Sequence, residues 1–221
     1  MESKMTAEMW MHRASAFELL SLAFLLPSRP LAEAVAAGEY AEAADEVFGL
    51  TAPNDARVTE AAAHLAAAAG GDGEATLHAL RREHTRLLVG EKEPLLTPYA
   101  GIWRAQQQGQ QGLLFVSETS LAIERFMARC GVAKDLAAGQ TNDPVDHIGT
   151  MAEFLQFLCL VQAEAVQAPE GAVIGADDFD AFFAEYFAPY ACWLASELAA
   201  QTRSEFFKGA ALLLAVAAER F

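Results

Sequence analysis

The chain has 221 residues, of which 53% are hydrophobic and 20% charged, a balance that predicts a globular protein with a buried core and excludes a disordered one. Its net charge of −15 disfavours nucleic-acid binding and would attract a basic partner segment, although an acidic surface kept for solubility explains the charge equally well. The three cysteines are scattered and form no C-x-x-C pair, so they indicate neither a disulfide framework nor a zinc cluster.

The sequence carries no sign of export or of membrane insertion. Its first residues lack a basic start followed by an apolar run and a cleavage site. The richest apolar run, residues 19–26, is too short to span a bilayer. We therefore expect a cytoplasmic protein, which also fits the unpaired cysteines.

In chain order, apolar residues recur at steps of three and four within segments that end at Gly or Pro. The helices predicted in the first half cover residues 6–26, 31–48 with a break at Gly38, 55–69 and 74–88. Those predicted in the second half cover residues 118–130, 143–167 and 177–187, a further helix after Pro189, and 202–221. Ser117 and Asp143 are the predicted caps of the first two of these, and Thr202 with Glu205 forms a capping box for the last. No alternation typical of a strand occurs.

Two connections interrupt this pattern. Residues 89–112 are predicted to form a long irregular loop, which in a compact domain is usually functional or disordered. Two aromatic residues among its prolines argue against disorder, so we expect a functional loop. Residues 131–143 form a polar linker that is expected to act as a hinge. We predict an all-α, single-domain helical bundle over residues 1–221. Long connections of this kind could let two chains exchange helical blocks, so a domain-swapped dimer is expected beside the monomer.

The segment 142–158 combines capping signals with an apolar helical stripe. Pro144 follows Asp143 at the first helical position, where its missing N–H costs nothing. Asp146 is three residues beyond the cap, and His147 heads a stripe that continues through Met151. On these residues alone, a capped core helix whose histidine is satisfied locally is a full explanation.

The same segment resembles the signature of a known family. Pro-x-Asp-His-Ile at residues 144–148, followed by Glu-Phe-Leu at 153–155, is similar to the motif of the TorD/DmsD/NarJ family. These are cytoplasmic chaperones that mature molybdenum-containing oxidoreductases. In that family the Asp-His pair, here Asp146 and His147, is implicated in binding the twin-arginine signal peptide of the partner. Asp143 stands where the family usually has Glu, and Met151 stands where an acid is usual.

Two further stretches resemble the family in part. Residues 87–90, Leu-Leu-Val-Gly, match its Leu-Phe-x-Gly stretch, and residues 97–103 match its Pro-Pro-Tyr-Glu-Ser-x-Tyr stretch with Tyr99 and Trp103 as the aromatic positions. Gly101 stands where the family has Ser. A role of both aromatic side chains in covering the core explains them as well as contact with a peptide does. The aromatic run at residues 182–193 is also similar to the family.

The resemblance implies a system-specific chaperone of the TorD-like helical type. Its expected partner is the catalytic subunit of a molybdopterin-dependent oxidoreductase, bound through its twin-arginine leader or as the apo form. Binding would assist cofactor insertion and prevent premature export. The client-binding residues that follow from the motifs are Leu87, Leu88, Pro98, Tyr99, Trp103, Asp143, Pro144, Asp146, His147 and Glu153. Asp143 and Asp146 are expected to face the basic end of the leader. The alternative is an acidic helical adaptor or assembly factor for a non-exported molybdoenzyme subunit of the nitrate reductase type.

No pattern for catalysis or cofactor binding occurs in the sequence. It lacks an H-E-x-x-H motif, a repeated Glu-x-x-His, a P-loop and a strand-linked G-x-G-x-x-G. Guanine nucleotides have been associated with some family members, yet no phosphate cradle is present. A small hydrolase using Asp146 and His147 as acid and base would lack a nucleophile at a recognisable spacing. We therefore expect no catalytic residue, no metal, no cofactor and no enzymatic activity.

Overall fold

The computed structural model describes residues 5–90, 94–110, 117–132 and 144–221. These residues are mostly helical and contain no β-strand, which confirms the predicted all-α fold. The helices are α1 (Ala7–Phe24), α2 (Arg29–Ala37), α3 (Glu39–Thr51), α4 (Ala56–Ala67), α5 (Gly73–His84), α6 (Ala100–Gln107), α7 (Glu118–Arg129), α8 (Ile148–Gln162), α9 (Asp178–Phe182), α10 (Ala188–Gln201) and α11 (Glu205–Arg220). Two π-helical turns lie at Thr85–Val89 and Phe183–Phe187.

Helices α1 and α8 form the centre of the bundle. They pack on each other more extensively than any other pair of described helices, while α11 packs on α4 and α10. The end of α1 approaches the start of α8 so closely that a Cβ atom at position 149 would lie 2.7 Å from Leu25 Cγ. Gly149 therefore permits this contact, and it brings the end of α1 beside the residues that precede α8.

Aromatic side chains fill the core beside α1. Phe17 is fully buried and meets Phe179, Phe187 and Phe221 edge-on, with ring centroids 5.9, 5.5 and 5.6 Å apart. Such pairs contribute about 0.5–1.5 kcal/mol beyond the burial of their area. The C-terminal residue Phe221 thus belongs to the core together with α9 and the second π-helical turn.

The helix predicted over residues 177–187 is not separated from the next helix by a turn at Pro189, contrary to the prediction. Helix α9, the π-helical turn Phe183–Phe187 and α10 form one continuous helical run, with Pro189 in the first turn of α10. A proline at this position leaves the carbonyl group four residues earlier without its helical donor. That carbonyl belongs to Glu185, and the guanidinium of Arg104 donates to it at 2.5 Å. A side chain from α6 therefore compensates for the proline.

Several local signals gave correct helix boundaries. The side chains of Asp55 and Ser117 accept N–H hydrogen bonds at the starts of α4 and α7, and Gly38 separates α2 from α3 with a φ of 85°. The capping box predicted for the last helix was wrong. Ser204 is the residue before α11, and the Thr202 hydroxyl accepts the N–H of Ser204 at 3.2 Å and donates to Glu83 instead.

The segment 89–112, predicted to be irregular, contains helix α6. Conversely, the helix predicted over residues 143–167 is shorter, because α8 begins at Ile148 and ends at Gln162. The backbone of Asp146 and His147, before α8, pairs with that of Tyr99 and Ala100 at the start of α6. This tertiary pairing holds residues 144–147 outside the helix and replaces the predicted cap. Asp143 itself lies outside the described residues.

Among the described residues, no single helix is long and apolar enough to cross a membrane. Helices α1 and α2 together reach the required length and apolar composition, but a bend of 109° separates them. Most of the linker predicted at residues 131–143 lies outside the described part of the chain. The exchange of helical blocks through this linker stays a prediction.

Glu83 joins the end of α5 to the turn between α10 and α11. Arg86 donates to both carboxylate oxygens of Glu83 at 2.7 and 2.8 Å, and the Arg203 N–H and the Thr202 hydroxyl donate to Oε1 at 2.7 and 3.1 Å. The hydrogen bonds from Arg86 above all lower the pKa of Glu83 from 4.5 to about 2, against the opposing effect of burial.

Because the pKa of Glu83 is lower in the folded state, the stability from this carboxylate is present above pH 4.5 and is lost as the pH falls towards about 2. We expect Glu83→Gln to lower the free energy of unfolding by about 1–2 kcal/mol at neutral pH. Urea titrations at neutral and acidic pH should show the difference from the parent narrowing as the pH falls. Glu74→Gln, which removes an exposed ion pair with Arg29, is the control and should cost about 0–1 kcal/mol. A difference in the free energy of unfolding between Glu83→Gln and the parent that stays constant with pH would contradict the lowered pKa of Glu83.

Candidate functional site

A short non-helical segment, residues 94–99, crosses the bundle before α6, and we call it the strap. The Leu96 N–H donates to the carbonyl of Leu87 at 2.9 Å, which ties the strap to the first π-helical turn. The hydroxyl of Tyr190, a fully buried residue of α10, donates to the carbonyl of Thr97 at 2.8 Å. The strap is therefore held at its middle by one hydrogen bond that its backbone donates and one that its backbone accepts.

The end of the strap pairs with the residues that precede α8. Tyr99 and His147 form an isolated antiparallel bridge, in which the Ile148 N–H donates to the Pro98 carbonyl at 2.9 Å. The rings of Tyr99 and His147 also meet edge-on, with centroids 5.6 Å apart. This pairing places the Asp-His motif directly against the strap, although the two are distant in the sequence.

A small cleft opens where these elements meet. Its volume is about 180 Å³, and it lies between the end of α1, the end of α5 with the π-helical turn, the strap and the start of α8. Its lining residues are Leu26, His84, Leu88, Val89, Pro98, Tyr99 and His147. Leu26 and Val89 are 50% and 54% exposed, so apolar surface continues outward from the rim. We call this feature the cleft.

His147 caps helix α8 at one wall of the cleft. Its Nδ1 accepts the N–H of Gly149 at 3.1 Å, which requires the imidazole tautomer with its proton on Nε2. The side chain is only 5% exposed. The sequence predicted Asp143 as the cap of this helix, and the structure gives the position before α8 to His147 instead.

Asp146 points away from the cleft and is 3% exposed. Its Oδ2 accepts the Gly101 N–H at 3.0 Å and the Ser120 hydroxyl at 2.7 Å, and its backbone carbonyl accepts the Ala100 N–H at 2.9 Å. Gly101 is in the first turn of α6 and Ser120 in the first turn of α7. The carboxylate therefore joins the starts of two helices to the residues before a third.

The glycine at position 101 makes this arrangement possible. A Cβ atom there would collide with the hydroxyl oxygens of Ser117 and Ser120 and would lie 2.7 Å from Oδ2 of Asp146. The resembled family motif has Ser at this position. In this chain the hydroxyl groups beside the carboxylate come from α7, which occupies the space that a side chain at 101 would need.

The structure brings four of the predicted site residues together around the cleft, namely Leu88, Pro98, Tyr99 and His147. The other predicted site residues in the described part of the chain do not line the cleft. Leu87 is fully buried, and Pro144 is also buried. Trp103 packs on Tyr190 and Trp193 at centroid distances of 5.6 and 6.3 Å. Glu153 is exposed on α8.

Sequence reasoning missed three lining residues, Leu26, His84 and Val89. Leu26 follows α1 at the end of the apolar run at residues 19–26 and remains half exposed. Its signal was an apolar run that extends past the helix end into solvent. No group of three or more His, Cys, Asp or Glu side chains that could hold a metal ion occurs in the described parts of the chain.

Comparison with known families decides the relationship. Residues 51–195, more than half of the chain, match the family model described as nitrate reductase delta subunit. The chain belongs to this family. The match confirms the resemblance to the TorD/DmsD/NarJ-type chaperones, and membership implies a maturation chaperone of molybdoenzymes. A search of the curated proteins gave no significant match. The matched span includes the strap, α6 and the start of α8, whereas Leu26 lies outside it.

The hydroxyl of Tyr190 offers a test of how the strap is held. Tyr190→Phe removes the donor to the Thr97 carbonyl and leaves a buried acceptor unpaired, so we expect the free energy of unfolding to fall by about 1 kcal/mol. Amide hydrogen exchange, followed by mass spectrometry, should become faster in the strap.

Tyr40→Phe is a matched control, because the Tyr40 hydroxyl is equally buried and donates to the Leu19 carbonyl at 2.8 Å, far from the strap in the sequence. It should lose similar stability and leave exchange in the strap unchanged. Equal exchange of the strap in both variants would show that Tyr190 does not hold it.

Proposed function

We propose that this protein is a cytoplasmic chaperone that holds the N-terminal leader of a molybdopterin-dependent oxidoreductase while the cofactor is inserted. An apolar segment of the leader would bind at the cleft, and export before completion would thereby be blocked. The observation that carries the proposal is that Leu88, Pro98, Tyr99 and His147, which belong to three separate family-like motifs, line one cleft.

The size of the cleft favours a side chain over a small molecule. Its 180 Å³ is below the roughly 300–1,000 Å³ typical of pockets for small molecules and cofactors. One apolar side chain of a bound segment fits such a volume. The cleft is thus suited to anchor a peptide, with most of the peptide lying on the surface around it.

The affinity of such a complex must come partly from outside the cleft. Burying one leucine-sized side chain contributes about 1.5–3 kcal/mol, whereas micromolar binding requires roughly 8 kcal/mol. The exposed apolar rim formed by Leu26 and Val89 supplies additional area. A leader would use both surfaces if one of its apolar side chains entered the cleft and the apolar residues next to it packed on the rim.

The net charge of −15 supports binding of a segment that begins with basic residues. A strongly acidic surface attracts such a segment at long range and accelerates the encounter, more so at low salt. Asp146 is buried and already accepts two hydrogen bonds, so this attraction would come from the exposed acids of the whole surface.

A second candidate function is favoured by the family description itself, which names a nitrate reductase subunit. In that case the client would be a molybdoenzyme subunit that is not exported, and its N-terminal segment would not need two arginines. Leader peptides with Arg-Arg and with Lys-Lys distinguish the two functions, because lysine cannot reproduce the planar two-pronged donor of arginine. Equal affinities would favour the non-exported client.

Leu26 provides the mutational test of the cleft. The half-exposed side chain can be replaced without opening a cavity in the core, so Leu26→Ser should fold. We expect its dissociation constant for a synthetic leader peptide to rise about tenfold, since a loss of about 1.4 kcal/mol changes an equilibrium constant tenfold. Calorimetric titration measures the effect.

Leu50→Ser is the matched control, because Leu50 is 55% exposed at the end of α3 and does not line the cleft. This variant should bind the peptide as tightly as the parent. If both leucine variants bind like the parent, the leader lies on another surface.

A further inference from the structure

We infer that Asp146 is the positioning residue of the cleft: it fixes helix α6 and the end of the strap, and it does not contact the leader. The inference rests on the proposed function for its effect on binding, whereas its effect on α6 can be measured without any ligand. It assigns to the carboxylate of the Asp-His pair a role different from that of an arginine ligand.

The first step concerns the start of α6. The first N–H groups of a helix have no partner within it, and Tyr99, the residue before α6, provides no capping side chain. Asp146 supplies the missing acceptor to Gly101, 45 residues away in the sequence. A negative charge is also favourable at this end of the helix dipole. The carboxylate is thus a cap provided by a distant segment.

The second step links this cap to the cleft. Tyr99 directly precedes α6, lines the cleft and makes an edge contact with the ring of His147. The Ala100 N–H is held by the carbonyl of Asp146 itself. The backbone and the side chain of Asp146 therefore fix the two residues that directly follow Tyr99, and loss of the carboxylate should loosen this wall of the cleft.

The third step shows why the carboxylate is not available to an arginine. It is 3% exposed, and Oδ2 already accepts from the Gly101 N–H and the Ser120 hydroxyl. The Ser120 hydroxyl lies 2.7 Å from that of Ser117, which extends the network into α7. An arginine that contacted Oδ2 would have to displace these two donors, which belong to the starts of α6 and α7.

Two substitutions separate positioning from direct contact. Asp146→Asn keeps an oxygen acceptor for Gly101 and Ser120 but removes the charge, whereas Asp146→Ala removes both. We expect Asp146→Asn to bind a synthetic Arg-Arg leader peptide with a dissociation constant within about threefold of that of the parent and with the same salt dependence. We expect Asp146→Ala to weaken peptide binding about tenfold or more and to accelerate amide exchange at Gly101. Titrations at two salt concentrations and exchange followed by NMR give both readouts.

Asp55→Ala controls for a general loss of stability. Asp55 is likewise a capping carboxylate, at the start of α4, with a side chain that is only 6% exposed, and it does not line the cleft. This variant should be less stable but should bind the peptide normally, with parent-like exchange at Gly101. Ser120→Ala removes only one donor to Asp146 and serves if Asp146→Ala does not fold. It should show smaller changes in the same directions.

The inference is overturned if Asp146→Asn loses as much peptide affinity as Asp146→Ala and flattens the salt dependence of binding, because that is the behaviour of a direct arginine ligand. It is also overturned if exchange at Gly101 is unchanged in Asp146→Ala, whatever the peptide does. If the parent protein binds no leader peptide, the proposed function fails, and exchange at Gly101 still decides whether Asp146 positions α6. Fast amide exchange at Gly101 in Asp146→Ala and slow exchange in Asp146→Asn would then support that role.

Discussion

The structure around the cleft depends on one buried carboxylate. A charge removed from water must be compensated by hydrogen bonds, since an unpaired buried charge is strongly unfavourable. Asp146 meets this requirement with a backbone N–H of α6 and a hydroxyl of α7. Because both donors come from other segments, the requirement fixes how α6 and α7 sit against the start of α8. The position of the strap follows from that of α6.

The strap in turn depends on polar groups that are buried among apolar ones. Its carbonyls at Thr97 and Pro98 accept from the Tyr190 hydroxyl and from the Ile148 N–H. A segment without secondary structure can cross a core only if such partners satisfy its backbone. In the same arrangement, Pro98 and Tyr99 of the strap line the cleft. A binding surface built on such a held segment needs little ordering when a peptide arrives, which favours affinity.

Local signals determined most of the fold, whereas distant contacts determined the site. The apolar periodicity and the Ser117 cap sufficed for α7, and Gly38 sufficed for the break between α2 and α3, since each signal lies beside the helix that it controls. Helix α6 could not be predicted in this way, because its capping carboxylate is 45 residues away. The start of α8 was misplaced for a similar reason: pairing with the strap holds residues 144–147 outside the helix. Leu26 was missed because periodicity identifies buried faces and gives no weight to an exposed apolar side chain.

The backbone also explains why two adjacent residues of one motif have separate roles. His147 is in an extended conformation, with φ −68° and ψ 137°, whereas Asp146 lies in the turn that the His147 N–H closes on the Pro144 carbonyl, so the two side chains leave different kinds of backbone. Accordingly His147 lines the cleft while Asp146 contacts α6 and α7. A hydrolase that used the pair as acid and base would need both side chains at one substrate, and this geometry separates them. The same separation suits a chaperone, because one side of the motif can form the binding surface while the other fixes the helices that support it.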